Sequence, residues 1–477
     1  MKNIKIKFPL FIFLVAVVIR LIPVLATPDL GIGLDDMFQY DMLAESIATG
    51  EGYRWYSEDD LNLIKRYVDL DFITDDYDPK GILTSFRPPG YPAFLALIYF
   101  IGGLTHRFFI ARMVQVFLVA TIAPLTYLIA MRVFPEKKKI AKFAAWVMVF
   151  YPMLVVYPLA LATENLFIPL VLFGTLLLLK AGESNKLRDF VIAGIVFGLA
   201  SLTRSVITAI VPFIMFWIWF YLKNKKAALI FPMIIILVTA PWSIRNTLLH
   251  EQFYYIESAL GYDLHQGYYP GYDGAFTTET SMELMPYLDD AVRDEIGKEM
   301  AFEFIRENPE NVPYYMLRRT GYFFGFERRA LSFFYSSNIL GYIQTPYLIA
   351  LFAIYTLPFA VIAISGAFGL PFIKWKRGSI LLLLISLGYI APHILILAEP
   401  RFHLTLVPFM AILASQTWFN FREQWWDLTQ KQRIIRLLIS CLLVGLLIFN
   451  FSYEIINDFD KLKLLFGPEG NKTYFGY

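Results

Sequence analysis

The feature that most constrains this chain is the recurrence of apolar runs long enough to cross a bilayer. A hydrocarbon core of about 30 Å needs about 20 helical residues. Eleven stretches approach or meet that length, near 8–26, 107–131, 142–160, 165–181, 190–203, 206–222, 227–243, 347–372, 379–398, 404–420 and 434–452. With 57% hydrophobic and 17% charged side chains, no water-soluble core of this size could hide the apolar surface. The expected fold is therefore an all-α polytopic membrane protein with about eleven transmembrane helices. The run 190–203 is short, and together with 206–222 it also reads as one broken hairpin around Arg204. Phe8 to Ala26 follows Lys2, Lys5 and Lys7 as a signal peptide would, but no convincing cleavage site precedes the acidic stretch, so it reads as a retained first span.

Basic residues set the expected orientation. Lys2, Lys5 and Lys7, Lys137 to Lys139, Lys186 and Arg188, Lys223, Lys225 and Lys226, Lys374, Lys376 and Arg377, and Lys431, Arg433 and Arg436 fall in alternate connections. The positive-inside rule puts all of them, and the N-terminus, in the cytoplasm. The acidic connections 27–106 and 244–346 then lie outside. Residues 88–104 are apolar enough to span, but a crossing there would move Lys137 to Lys139 to the wrong face. They are read as an interfacial helix of the first outer loop, begun by Pro88 and Pro89. Three regions result: a transmembrane module over 1–243 containing the outer loop 27–106, a large extracytoplasmic loop over 244–346, and C-terminal helices with a short outer tail over 347–477, with Asn471 outside.

A net charge of +2 gives no basic field for nucleic acid, and the lone Cys441 excludes a disulfide framework or a cysteine metal site. His250, His265 and His403 lack ligand spacing, so a divalent metal is possible but not indicated, and no cofactor is required. The sequons at Asn450 and Asn471 are chance-level matches.

Chemistry gathers at the outer boundary. In GLDDMFQYDMLAESIATGEGY, Asp36, Tyr40 and Leu43 share a helix face. A carboxylate there reads either as a solvated helix start or, partly desolvated, as a general base. Glu164 reads as a helix cap or as a second active-site carboxylate. Arg87 in SFRPPGYP reads as a snorkelling anchor or a phosphate ligand. Arg204 lies within LASLTRSVITAI and should face a wet cavity or the bundle interior. Arg245 and Arg401 fall at outer ends of spans, where a ring of guanidinium forks could cradle a phosphorylated lipid, and Glu399 reads as a simple partner for Arg401.

Taken in order, Asp36-x-x-x-Tyr40 with LAESIATGEGY, then RPPGYPAFLALIY, ARMVQ, YPLALATEN, GLASLTRS, APWSIRN and EPRFHLTLVP resemble the GT-C superfamily of integral-membrane glycosyltransferases. The likeness is to the branch that holds protein O-mannosyltransferases and bacterial lipid A aminoarabinose transferases, and it runs from residue 35 to 408. It implies a GT-C-like bundle, a polyprenyl-phosphate-sugar donor bound at the outer face, and a lipid, glycan or protein acceptor. It also implies that Asp36 is the catalytic carboxylate, Glu164 the second one, and Arg87 and Arg204 basic residues near the donor; Arg245 and Arg401 match family positions with less defined roles. The sequence departs from the pattern at Met37, where many relatives carry a second acidic residue, and has Asp35 before Asp36 instead. Which aspartate is the base stays open.

The resulting expectation is an inverting glycosyltransferase of the plasma (inner) membrane. Asp36, Asp35 and Glu164 are its catalytic carboxylates, and Arg87, Tyr40, Arg204, Arg245, Arg401 and Tyr91 bind substrate. Tyr53, Trp55, Tyr56, Tyr254, Tyr255, Tyr268, Tyr269 and Tyr272 are candidates for stacking on sugar faces. The rival reading is a transporter or flippase for a phosphorylated lipid or solute, with Arg204 as a pathway charge. The sequence names neither the sugar nor the acceptor.

Overall fold

The computed structural model describes residues 7–33, 35–66, 70, 77–284, 286–328, 331 and 343–467. Lys2, Lys5 and Asn471 lie outside them. Among the described residues the regular structure is helical apart from one two-stranded antiparallel ribbon, in which Arg54 faces Leu83 and Trp55 faces Ile82. Among the described residues seven helices are long and apolar enough to cross a membrane: Lys7–Ala26, Arg107–Val133, Glu164–Ser184, Lys225–His250, Thr345–Phe372, Arg377–Leu395 and Gln430–Asn457. An eighth span forms if Lys138–Phe150 and Pro152–Leu159, bent by 54°, count as one.

The other three expected spans are helical but fall short of that test. Leu187–Thr203 has 17 residues, and Ser205–Tyr221 is a succession of 3₁₀, α and π turns. Val407–Trp426 carries Gln416, Asn420, Arg422 and Glu423 near its end. Gly90–Gly102, the expected interfacial helix, has 13 residues, about 20 Å at 1.5 Å per residue, too short for a 30 Å core.

Each break in the apolar helices has a local cause. At Tyr151–Pro152 the helix restarts on a proline, whose missing N–H ends the ladder and leaves the preceding carbonyls without donors. Arg20, wholly buried in the first helix, supplies them: its guanidinium donates to Met148 O at 2.8 Å and Val149 O at 3.4 Å. At Arg204 the backbone is extended (φ −148°, ψ 120°), which ends Leu187–Thr203 and turns the Arg204 side chain away from the helix axis.

The described parts of 27–106 and 244–346 are tied to one another and to the bundle. Helix Leu260–Gly267 crosses Asp290–Glu307 so closely that a Cβ on Gly261 would lie 1.8 Å from Asp294 O, a contact only glycine permits. Asp290 accepts from Ser85 N and Thr84 Oγ1, both at 2.6 Å, fixing the stretch just before Arg87. Gly90 is the second close approach: a Cβ there would lie 2.8 Å from Leu202 O, so the Gly90–Gly102 helix starts pressed against the end of Leu187–Thr203. That contact brings the Arg87 loop beside Arg204.

Candidate functional site

Where these helix ends and loops meet lies a cavity of about 1010 Å³. One wall comes from Gly31 to Gly33 and Asp35 to Tyr40, a second from Ala162 to Glu164 and Thr203 to Val206, a third from Tyr255 to Asp263, and a fourth from Pro392 to Phe402. Segments far apart in sequence therefore converge, and they carry most of the charged residues singled out above.

Asp36 sits between two arginines. Its Oδ1 accepts from Arg87 at 2.6 Å and its Oδ2 from Arg401 at 2.7 Å. Arg87 also donates from Nε to Gln39 Oε1 at 2.9 Å, and Arg401 pairs with Glu399 at 3.0 Å, as the simple reading of Glu399 holds. Asp35 lines the same cavity. It is the N-cap of helix Asp36–Ala48, accepting from Met37 N at 2.9 Å. Glu164 is buried, stands in the first turn of the helix it begins, and pairs with Arg204 at 2.5 Å. Arg204 additionally lies over the rings of Phe402 and Phe167, at 5.0 and 5.8 Å. Arg87 is therefore no snorkelling anchor, and Arg204 faces the cavity.

Two of the expected substrate ligands do not line this cavity. Arg245 donates to Thr84 O at 2.6 Å and lies over Trp242, so it braces the ribbon behind Arg87. Tyr91 is wholly buried beneath the floor, with its hydroxyl donating to Gln115 Oε1 at 2.5 Å. Tyr40 lines the cavity and meets the Tyr91 ring edge-on at 5.2 Å. Of the eight outer aromatics, Trp55, Tyr56 and Tyr255 line the cavity; Tyr53 packs on Trp242, and Tyr268 donates to Leu395 O at 2.8 Å.

Beneath the site a buried polar network fixes the loops. Arg112 donates to Leu159 O at 2.8 Å and Gly31 O at 2.7 Å, and also to Leu30 O. Gln115 donates to Pro158 O at 3.0 Å, and Asn165 donates to Gln115 Oε1 at 3.0 Å. The loop leading to Asp36 is thus fastened to the loop leading to Glu164.

The carboxyls of the third wall were not anticipated. Glu257 accepts a hydrogen bond from the Ser205 hydroxyl, and Asp263 stands in the first turn of Leu260–Gly267. Burial raises the Glu257 carboxyl above its ordinary value. Burial, with Glu257 nearby, pushes Asp263 up to about 7. Neither residue stands in a recognisable motif, so only the fold reveals them. Among the described residues no group of three or more His, Cys, Asp and Glu is arranged to hold a metal. His250 meets Ser85 Oγ at 2.7 Å, His265 meets Glu283 at 3.2 Å, and His403 meets Glu327 at 3.0 Å. Asn450 donates to Gly321 O at 3.0 Å and is engaged within the fold.

Fold and site together define an integral, multi-pass, all-helical membrane protein with a guanidinium–carboxylate cavity. Residues 86–244, a third of the chain, match the family model described as dolichyl-phosphate-mannose-protein mannosyltransferase. No curated protein sequence matches the chain. Solved structures similar to it include the Archaeoglobus fulgidus oligosaccharyltransferase tethered to an acceptor peptide containing the NVT sequon, at 14% identity and a TM-score of 0.49 over 100% of this chain and 61% of that one. The same archaeal enzyme, AglB, in complex with an inhibitory peptide and dolichol-phosphate gives 14% and 0.48, over 99% and 59%. ArnT from Cupriavidus metallidurans bound to undecaprenyl phosphate gives 13% and 0.44, over 99% and 75%. The chain thus spans about three fifths of the length of the archaeal oligosaccharyltransferase structures it matches.

Proposed function

We propose that this protein is a glycosyltransferase that moves a sugar from a polyprenyl-phosphate-linked donor to an acceptor at the outer face of the plasma (inner) membrane, with its N-terminus in the cytoplasm. The observation that carries the reading is the convergence of Arg87, Arg204 and Arg401, from three distant parts of the chain, on one cavity beside membrane-spanning helices. Guanidinium forks match phosphate oxygens. The mannosyltransferase family model, which spans Arg87 and Arg204, supports the same direction.

In the reaction the acceptor's oxygen attacks the anomeric carbon from the side opposite the lipid phosphate, so configuration inverts. The bond from that carbon to the acceptor oxygen forms as the bond to the phosphate oxygen breaks. The electron pair leaves with polyprenyl phosphate, whose growing charge the arginines stabilise, and the acceptor's proton passes to a carboxylate of the cavity. Asp36 with Arg87 and Arg401, and Glu164 with Arg204, form the charged frame. No metal is needed, because the guanidiniums meet the leaving group's charge.

The test is reconstitution of the purified chain in liposomes with a panel of radiolabelled polyprenyl-phosphate sugars, following release of polyprenyl phosphate. Release by the parent that is lost in Arg87→Ala and Arg401→Ala supports the proposal. Passage of labelled lipid or solute across the bilayer with no donor cleaved overturns it in favour of a transporter.

A further inference from the structure

Besides its charged groups the cavity has an aromatic surface. Trp55 of the ribbon meets Tyr56 at 4.9 Å and Phe86 at 5.3 Å between ring centroids, and Phe86 meets Tyr262 edge-on at 5.2 Å. All four rings line the cavity. Three come from 27–106 and the fourth from helix Leu260–Gly267, so the surface exists only where these two segments meet. Hydrogen-bonding groups are interleaved with the rings. The Arg293 guanidinium lies over Phe86 at 4.6 Å and over Trp55 at 5.5 Å, and Arg293 lines the cavity too. Asp263 follows Tyr262 on the same wall, and the Tyr262 hydroxyl meets Ser281 Oγ at 2.6 Å. Among the described residues the buried Trp55 indole N–H and the buried Arg293 Nε–H have no hydrogen-bond partner.

Such a surface suits one kind of molecule. A saccharide carries apolar C–H faces that pack on aromatic rings, and hydroxyls that both donate and accept. Here the rings come with N–H donors on Trp55 and Arg293, a carboxyl acceptor on Asp263 and hydroxyls on Tyr262 and Ser281. A prenyl chain on this surface would use the rings but bury the polar groups against hydrocarbon, which is costly. A peptide held along its main chain needs a row of open backbone N–H and C=O groups, whereas the ribbon here has two residues per strand. Position matters as well. The Phe86 ring that Arg293 covers is also covered by Arg87, at 5.2 Å. The aromatic surface therefore adjoins an arginine assigned above to the donor phosphate.

We infer that the acceptor is a saccharide, and that Trp55, Tyr56, Phe86 and Tyr262, with Asp263 and Arg293, form the surface that binds it. This rests on the glycosyltransferase reading above. A sugar lying on these rings presents a hydroxyl toward the donor held at Arg87. That hydroxyl's oxygen bonds to the anomeric carbon as the bond to the phosphate oxygen breaks, the electron pair leaves with polyprenyl phosphate, and the hydroxyl proton passes to a cavity carboxylate. The product is a glycosidic bond between two sugars.

The experiment offers the full chain, in liposomes with whichever labelled polyprenyl-phosphate sugar it cleaves, three acceptor classes: soluble methyl glycosides and disaccharides, a polyprenyl-diphosphate-linked sugar, and a peptide rich in serine and threonine. Binding of the methyl glycosides to the detergent-solubilised chain is read in parallel by saturation-transfer NMR. Label should appear on a sugar acceptor, and the glycosides should receive saturation. Transfer to soluble glycosides marks a free saccharide as the acceptor, and transfer to the polyprenyl-linked sugar alone marks a lipid-linked one; either supports the inference. Tyr56→Ala and Tyr262→Ala should each raise the saccharide KM about 3- to 10-fold, the weight of one ring contact, with the donor KM within about twofold of the parent. Tyr262→Phe, which keeps the ring, should bind saccharide nearly as the parent does. Binding of a short-chain polyprenyl phosphate reports that each variant is folded, and Tyr262→Leu replaces Tyr262→Ala where that check fails. A saccharide KM that neither ring removal moves overturns the assigned surface. Label on the peptide or the liposome phospholipids alone, or no saccharide binding by a parent that cleaves donor, overturns the inference and leaves the glycosyltransferase reading intact. Absence of cleavage by the parent with every donor overturns both.

Discussion

Arg112→Met tests whether the buried network under the cavity sets the geometry of the site. The guanidinium of Arg112 donates to three backbone carbonyls, Leu30, Gly31 and Leu159, and is itself wholly buried. A hydrogen bond with a charged donor contributes about 1.5–3 kcal/mol, so losing three costs roughly 5–9 kcal/mol in gross terms. Two effects reduce this. Among the described residues Arg112 has no carboxylate partner, so removing it recovers several kcal/mol of desolvation, and methionine refills much of the volume. The expected net loss is about 2–4 kcal/mol, read from denaturant unfolding in detergent. Because the clamp joins the loop before Asp36 to the loop before Glu164, kcat should fall by about 10²-fold, the cost of misplacing reacting groups by about 1 Å. Arg112→Lys, which offers one ammonium where the fork made three bonds, should recover only part of both. A variant within about 0.5 kcal/mol of the parent and with unchanged kcat would refute the view that these carbonyls depend on Arg112.

Other consequences can be checked separately. Asp36→Asn frees Arg87 and Arg401 from a carboxylate competitor, so binding of a short-chain polyprenyl phosphate, measured by calorimetry, should tighten by about fivefold or more while turnover falls. Gly90→Ala drives a methyl against Leu202 O and Thr203 Oγ1, and should lower unfolding stability by about 1–3 kcal/mol. The raised carboxyl of Asp263 binds its proton more tightly in the folded chain, so its contribution to stability is fully present below about 3.8 and is lost as pH rises through about 7. Unfolding midpoints at pH 4.5 and 8 should therefore differ less for Asp263→Asn than for the parent. Turnover should survive excess EDTA, assayed by polyprenyl phosphate release.

The apolar helices were legible because lipid permits few alternatives: a backbone in hydrocarbon must satisfy its own N–H and C=O groups. The break at Arg204 was legible too, since a guanidinium at that position demands a polar setting, and the structure gives it Glu164. Pairings at long range were not. Asp36 and Arg401 stand 365 residues apart, and no spacing rule joins them. Arg20 passed unnoticed inside an apolar run because its partners are backbone carbonyls of a helix that sequence pattern treats as unbroken. Asp263 sits in a polar loop where exposure is the ordinary expectation, and the fold leaves it half-buried against the cavity.

Arg245 shows why residue type at the membrane boundary underdetermines role. In sequence it is indistinguishable from Arg401: both are arginines at outer helix ends. In the structure the two belong to different sets. Arg20, Arg112, Arg245 and Arg319 donate to backbone carbonyls at helix ends and in loops: Met148 and Val149, Leu30, Gly31 and Leu159, Thr84, and Gly267, Ile394 and Ile396. Arg87, Arg204 and Arg401 instead meet carboxylates that line the cavity. The first group answers a demand of the fold, because loops packed at membrane depth expose carbonyls that neither water nor a helix satisfies, and one planar fork can serve two or three of them. The second group leaves charge facing a cavity, where an anionic ligand can compete for it. Each wall that bears a cavity arginine is adjoined by a carbonyl clamp: Arg112 behind Asp36 and Glu164, Arg245 behind the stretch before Arg87, and Arg319 behind the segment leading to Arg401. Rigidity of the loops and reactivity of the cavity are thus assigned to different arginines of the same chain.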